Sequence, residues 1–337
     1  MKRIPLLLLF LGLLILAVPG SLLLGRYPLG LNDVAHFFTW SLNGCPAGHE
    51  GDLRLLENIF LHIRLPRILG AMLVGSALSV SGTAFQSMFI NPLVSPGLLG
   101  VLAGASFGAA FAMVCFKSLA AVQACAFGFG CAAVCLSMVL ARFTTGDRLL
   151  MLILGGIVSG AFFTALLSIV KYMADPYNQL PAIVFWLMGG LSGVSNHLLM
   201  GVSIPMIVSM IGLASLTPYM NALSMGDEEA KSLGVPVARI RAGLIACATL
   251  MSALTIIMAG IIGWVGLVVP HITRMMVGPD NRILIPASAI VGALYLLLMD
   301  DLSRLVWSVE IPLGILTSLF GIPFFVLVLK HARKGWQ

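Results

Sequence analysis

Residue types able to do chemistry are confined to a few polar clusters in this chain. The densest runs from Gly226 to Arg241, GDEEAKSLGVPVARIR, where three acids and three bases fall within sixteen residues of a chain that is only 9% charged. Asp227, Glu228 and Glu229 at the head of a helix would meet free backbone N–H groups and the positive end of the helix dipole, with Asp227 as the cap. Gly234 is a stop signal, and Pro236 opens a second short helix at a position that needs no N–H. Seven or eight residues make a rod of roughly 11 Å, too short to cross a bilayer and marginal alone in water. Such a helix is expected to be braced by the rest of the chain or by a partner. The plain alternative is a solvated loop helix, because charge runs are usually solvated faces.

Other clusters are sparser. Arg64 and Arg67 bracket RLPR, and Arg304 follows Asp300 and Asp301. A guanidinium offers a fixed fork of donors suited to carboxylates, while the plain reading is a helix-end arginine snorkelling to the interface. Asp300, Asp301 and Glu310 read as helix-end acids. No acid stands in mid-span, where an ion-driven carrier would place one. His271 in VVPHITR has no second metal ligand at useful spacing and reads as packed or cap-bonding. His36, His49, His62 and Cys45 share a polar stretch without ligand spacing, and the six cysteines include no CxxC. Neither HExxH nor a phosphate loop of the form GxxxxGK[ST] occurs. The chain is therefore expected to be no enzyme and to carry no cofactor, and energy for any active transport would have to arrive from a partner.

The elements that must position these clusters are apolar helices. Of 337 residues, 59% are hydrophobic, and a bilayer-crossing helix needs roughly 20 apolar residues. The blocks do not alternate as the strands of a membrane barrel would. Ten spans are expected near 5–24, 68–88, 96–115, 119–141, 149–170, 198–215, 240–259, 262–274, 283–303 and 312–330, the eighth being short. The first resembles a signal peptide in its basic start, but its apolar run is long enough to be a retained span. Residues 172–197, broken by Pro181 and glycine pairs, read as a surface or re-entrant segment. Residues 25–63 form the longest polar stretch. With the N-terminus inside, twelve Lys and Arg fall on the cytoplasmic side and seven outside, so both termini are expected in the cytoplasm. The net charge of +6 reads as this bias rather than as a nucleic-acid footprint. A single domain, 1–337, is expected.

The pattern G-x-E-x-A-x-x-L-G-V at 226–235 resembles the cytoplasmic coupling segment of ABC importer permeases. Three further pieces, RLPRILGAMLVGSALSVSGTAFQSMFINPLVSPGLLG (64–100), GWVGLVVPHITR (263–274) and IPLGILTSLFGIPFF (311–325), occur in the order and spacing of the FecCD family of type II importers. The likeness covers about the whole chain, and four ordered motifs are far more specific than one. It implies an all-α polytopic fold of ten transmembrane helices in the bacterial inner membrane, paired with a second copy of itself. Two ATP-binding cassette subunits would lie below, and a periplasmic or lipid-anchored binding protein above. It implies that residues 226–241 couple to the ATPase, with Gly226, Glu228, Glu229, Ala230, Leu233 and Gly234 at the contact. It implies that Arg64, Arg67 and Arg304 dock acidic residues of the binding protein. Asn91, Pro92 and Leu93 match the family's NPL element beside the cytoplasmic gate, which Thr144 and Thr145 of TTGDR are expected to share; Asn-Pro is otherwise a plain turn signal. The cargo class implied is a metal chelate: iron–siderophore, haem or cobalamin. An oxyanion such as molybdate is the alternative within the family, and an ion-gradient-driven carrier is the alternative outside it.

Overall fold

All regular structure among the described residues is helical. The computed structural model describes residues 3–25, 27–44, 46, 48–116, 118–143 and 148–332. In chain order the helices are α1 (Arg3–Leu23), α2 (Leu31–Asn43), α3 (Glu50–Glu57), α4 (Leu65–Met88), α5 (Val101–Cys115), α6 (Leu119–Arg142), α7 (Arg148–Met173) and α8 (Gln179–Leu187). They continue with α9 (Asn196–Ser215), α10 (Thr217–Leu223), α11 (Asp227–Ser232), α12 (Val237–Ala259), α13 (Val265–Val277), α14 (Asn281–Leu305) and α15 (Leu313–Ala332). A helix stands at each of the ten expected spans: α1, α4, α5, α6, α7, α9, α12, α13, α14 and α15. Among the described residues seven helices are long and apolar enough to cross a membrane, and α5, α13 and α15 are shorter apolar ones. The short eighth span is α13, whose 13 residues reach about 20 Å.

α4 is the axle of the fold. Its most apolar window is 78% buried, against 11% for α1, and α9, α12, α13 and α14 pack around it. Apolar lipid gives helices little hydrophobic reason to associate, so close backbone approach through small residues matters instead. Gly75 shows this: a Cβ there would collide with the backbone carbonyl of Gly292 on α14. A second layer of α5, α6 and α7 packs within itself and meets α4's layer mainly through α12.

Two segments depart from expectation in detail. The polar stretch 25–63 holds α2 and α3 and a seven-residue π-helical turn, Asn58–Arg64, that runs straight into α4. It closes over its own small core of Leu29, Phe37, Leu56, Ile59 and Phe60. The 172–197 segment holds α8 and then a non-helical strap. There the Gly190 N–H donates to the Ala259 carbonyl at 2.8 Å, and the Leu313 and Gly314 N–H groups donate to the Gly189 and Met188 carbonyls at 3.0 Å each. Irregular backbone within a membrane protein persists where protein satisfies it in this way.

Candidate functional site

The 226–241 island is a braced corner at one end of the bundle. Gly226 caps α11 with φ +116, a conformation open to glycine and costly for other residues. A side chain there would also come within 2.5 Å of the Glu229 carboxylate. Asp227 is not the cap, as its position suggested. It is the first helical residue, and its carboxylate accepts two hydrogen bonds from Arg241, at 2.8 and 2.5 Å. That pair ties the two ends of the island together. Nor does Pro236 open a second short helix: it starts α12, a span of 23 residues. Gly234 does end α11, at φ +78, and the Val235 N–H returns to the Ala230 carbonyl at 3.0 Å.

Ala230 is fully buried against the chain, while Glu228, Glu229, Leu233 and Gly234 face outward. Lys231 sits 2.8 Å from Glu228, and its ammonium holds the Glu228 carboxyl below the usual carboxylate range. Met225 and Leu233, each 64% exposed, add apolar surface beside the acids. The island thus presents a rigid, mixed acidic and apolar face whose underside is fixed. Met225 carried no signal in the sequence beyond its place before the glycine.

The bundle's other end is held by an ionic cluster. Arg64, Arg67 and Arg304 are all buried, at 4%, 8% and 7% exposure, and their donors are used inside the chain. Arg64 donates to the Leu22 and Tyr27 carbonyls at 2.5 Å each. Arg67 donates through Nε to Asp300 at 2.9 Å and through both Nη atoms to Glu310 at 3.0 Å. Arg304 pairs with Asp301, donates to Ser21 Oγ at 2.9 Å and to the Leu24 carbonyl at 2.8 Å, and lies 3.1 Å from Asp300. The Ser21 hydroxyl in turn donates to Asp301 at 2.6 Å. Three cations and three carboxylates make the cluster neutral and link α1, α4, α14 and the turn before α15. The expected guanidinium forks are thus buried rather than outward-facing, and because burial of an unpartnered charge is too costly, the chain supplies counter-ions to Arg67 and Arg304 and the Leu22 and Tyr27 carbonyls to Arg64. Asp300, Asp301 and Glu310 are those counter-ions rather than plain helix-end acids.

At the island's end of the bundle, α4 gives way to the NPL turn. Ile90 has φ +50, and the Asn91 N–H donates to the Gln86 carbonyl at 3.1 Å. The Asn91 side chain accepts the Leu93 N–H at 2.9 Å, a turn in which asparagine imitates backbone. Leu93 is 44% exposed. Thr144 and Thr145 lie outside the described residues, as does Cys45. Just beyond the turn a cavity of about 200 Å³ is lined by Ser95, Gly97, Leu102, Ser252, Trp264 and Leu267. The turn, the island and the 274–282 link therefore share one end, and the arginine cluster occupies the other.

A model of the FecCD transport family matches residues 13–331. The chain belongs to that family. It is 38% identical over 327 residues to a molybdate import permease, MolB, of Haemophilus influenzae, covering 96% of this chain and 95% of that one. It is 38% identical to the hemin transport permease HmuU of Yersinia pestis, covering 82% and 84% of the two chains. A solved structure described as an inward-facing ABC transporter of the metal-chelate type superposes with a TM-score of 0.86 at 35% identity, covering 97% of this chain and 99% of that one. The FecCD permease is thus a multi-pass membrane protein and a transmembrane subunit of an ABC importer, not an enzyme; ATPase activity lies with partners.

Within the FecCD permease one polar group went unread in the sequence. Asn221 on α10, Asn281 at the start of α14 and Ser87 near the end of α4 hydrogen-bond to one another in series. Asp280 before Asn281 is a readable helix cap, and its carboxylate accepts the Arg282 N–H at 3.0 Å. No local pattern joins residues 60 and 194 positions apart.

Proposed function

We propose that this FecCD permease forms, with a second copy of itself, the pathway of an ATP-driven importer of a metal chelate in the bacterial inner membrane, both termini cytoplasmic. Two ATP-binding cassette subunits bind ATP and Mg and dock on residues 226–241. The observation that carries the reading is the island itself. Glu228, Glu229, Leu233 and Gly234 are exposed, while Ala230 and the Asp227–Arg241 pair fix them from behind. A rigid exposed face loses little freedom on binding, and its acids set register against a basic partner. Asn91 and Leu93, with Thr144 and Thr145, are proposed to close the cytoplasmic end.

The binding protein is proposed to land on the end built around Arg64, Arg67 and Arg304, which shape that surface from within. Pairing with a second copy is supported by α15: Ile315, Leu319 and Ile322 face outward beside Met188 and Ile261 in an open apolar groove. A second cargo, an oxyanion, is favoured by one finding: the molybdate permease matches 96% of the chain, whereas the hemin permease matches 82%.

Uptake into proteoliposomes tests both readings. The chain is reconstituted with its partner ATPase and binding protein, ATP is sealed inside, and ferric siderophore, haem, cobalamin and molybdate are offered in turn. ATP-dependent accumulation of a chelate supports the first reading and of molybdate the second. Accumulation driven by an ion gradient without ATP would overturn both.

A further inference from the structure

We infer that Asn221 is the clasp that carries movement of the island to the gate end of α4. The inference rests on the proposed role of residues 226–241 as the ATPase-docking face. α10 immediately precedes the island, and it is seated by Met220 and Leu223, both fully buried. Its Asn221 makes three hydrogen bonds to the 280–281 link. Nδ2 donates to the Asp280 carboxylate at 2.7 Å, and Oδ1 accepts the Asn281 backbone N–H at 2.9 Å and its side-chain Nδ2 at 2.8 Å. Asn281 then accepts the Ser87 hydroxyl at 2.7 Å, and Arg274 donates to the same hydroxyl at 3.3 Å. Asn281 and Ser87 are each 1% exposed, so water cannot substitute for these bonds without the helices parting.

The residue types suit the task. One carboxamide offers two donors and an acceptor oxygen with two lone pairs, so Asn221 joins an acid and an amide at once. Aspartate there would face the Asp280 carboxylate without a donor. Ser87 lies four residues before Asn91, and Asn91 is itself bonded back to α4 through Gln86. A shift of α10 therefore reaches the turn at Asn91 through these hydrogen bonds and the single step of α4 backbone between Ser87 and Gln86. Arg274 adds α13 to the same junction.

Two measurements test the clasp. In the purified full chain, Asn221→Ala should speed hydrogen exchange across 281–284 and 86–91 by about tenfold or more, tenfold being the low end for three lost hydrogen bonds. In the reconstituted complex the variant should keep its ATPase subunits and their hydrolysis. Cargo taken up per ATP, measured with whichever panel cargo the wild type accumulates, should fall about two- to thirtyfold. Ser87→Ala, which cuts only the far link, should lower the same ratio by less. An unchanged ratio in both variants overturns the clasp. Glu228→Lys with Glu229→Lys separates the two readings. If that variant sheds the ATPase while Asn221→Ala transports normally, only the clasp fails. If it keeps both ATPase and uptake, the docking face and the clasp fall together.

Discussion

Arg67→Ala removes a guanidinium that is 8% exposed and strands two carboxylates. Asp300 is fully buried; it keeps Arg304 at 3.1 Å but loses the Arg67 Nε bond of 2.9 Å. Glu310, whose side chain is 30% exposed, loses two bonds of 3.0 Å and still meets solvent. Breaking a buried pair from one side costs about 3–5 kcal/mol. Arg304 compensates in part and Glu310 is partly wet, so the low end applies, about 3 kcal/mol. At about 2.1 cal/mol/K per residue that corresponds to a fall of roughly 4 °C in the unfolding midpoint, followed by intrinsic fluorescence of the detergent-purified chain. Glu310→Gln should cost only about 1 kcal/mol, since that half of the pair is screened. Arg67→Lys should fall between, because a compact ammonium cannot serve both carboxylates at once. Binding-protein affinity is measured on the same variants. An Arg67→Ala protein that melts with the wild type yet binds its partner ten times more weakly would refute the internal role.

Ile90→Gly should raise stability by up to about 1 kcal/mol: a left-handed β-branched residue costs roughly 1–2 kcal/mol, and glycine's extra freedom returns part of that. An unfolding midpoint at or below wild type would show the turn to be unstrained. Gly75→Leu should abolish a monodisperse peak in size exclusion, since its side chain would collide with the Gly292 carbonyl and the Leu296 Cβ, neither of which can swing away, and overpacking of this kind costs roughly 3 kcal/mol or more; a normal peak would contradict the close approach. Asp227→Asn should quicken hydrogen exchange across 227–235 about fivefold, as the charge on the Arg241 pair is lost and partial exposure softens the effect. Unchanged exchange would mean that Ala230 alone holds the corner.

The spans were legible because each is a local property: twenty apolar residues announce a helix whatever surrounds them. Gly234 as a stop was legible for the same reason. Misread features share a different trait. Asp227 as a cap was a sound local inference, but Arg241 lies fourteen residues on and takes the carboxylate for itself. Arg67 looked outward-facing because its counter-ions stand far away in sequence, Asp300 being 233 residues from it, and Arg64 because its partners are the Leu22 and Tyr27 backbone carbonyls, which no residue type announces. α2 and α3 were read only as a polar stretch because charged and apolar residues mix there, and the five-residue core of Leu29, Phe37, Leu56, Ile59 and Phe60 exists only once they fold back. Motif order reached the family where periodicity reached only the class, since GWVGLVVPHITR carries no chemistry that spacing alone would flag.

The two ends of the bundle are fastened by different physics, and the difference bears on where it opens. At the arginine end, removing one partner of a buried ion pair costs about 3–5 kcal/mol, and two such cations, Arg67 and Arg304, lock α1, α4 and α14 together. At the island end the ties between α10, α14 and α4 run largely through amides and a hydroxyl, each bond worth about 0.5–1.5 kcal/mol net. Neutral groups are also cheaper to rewet when helices part than charges are to unpair. If ATPase subunits dock at residues 226–241 as proposed, work delivered there meets its weakest resistance beside Asn91, while the ionic end holds its shape. A transporter that opens inward needs that asymmetry: a fixed receiving end, and an inner end whose closure lies within reach of what a docked partner supplies.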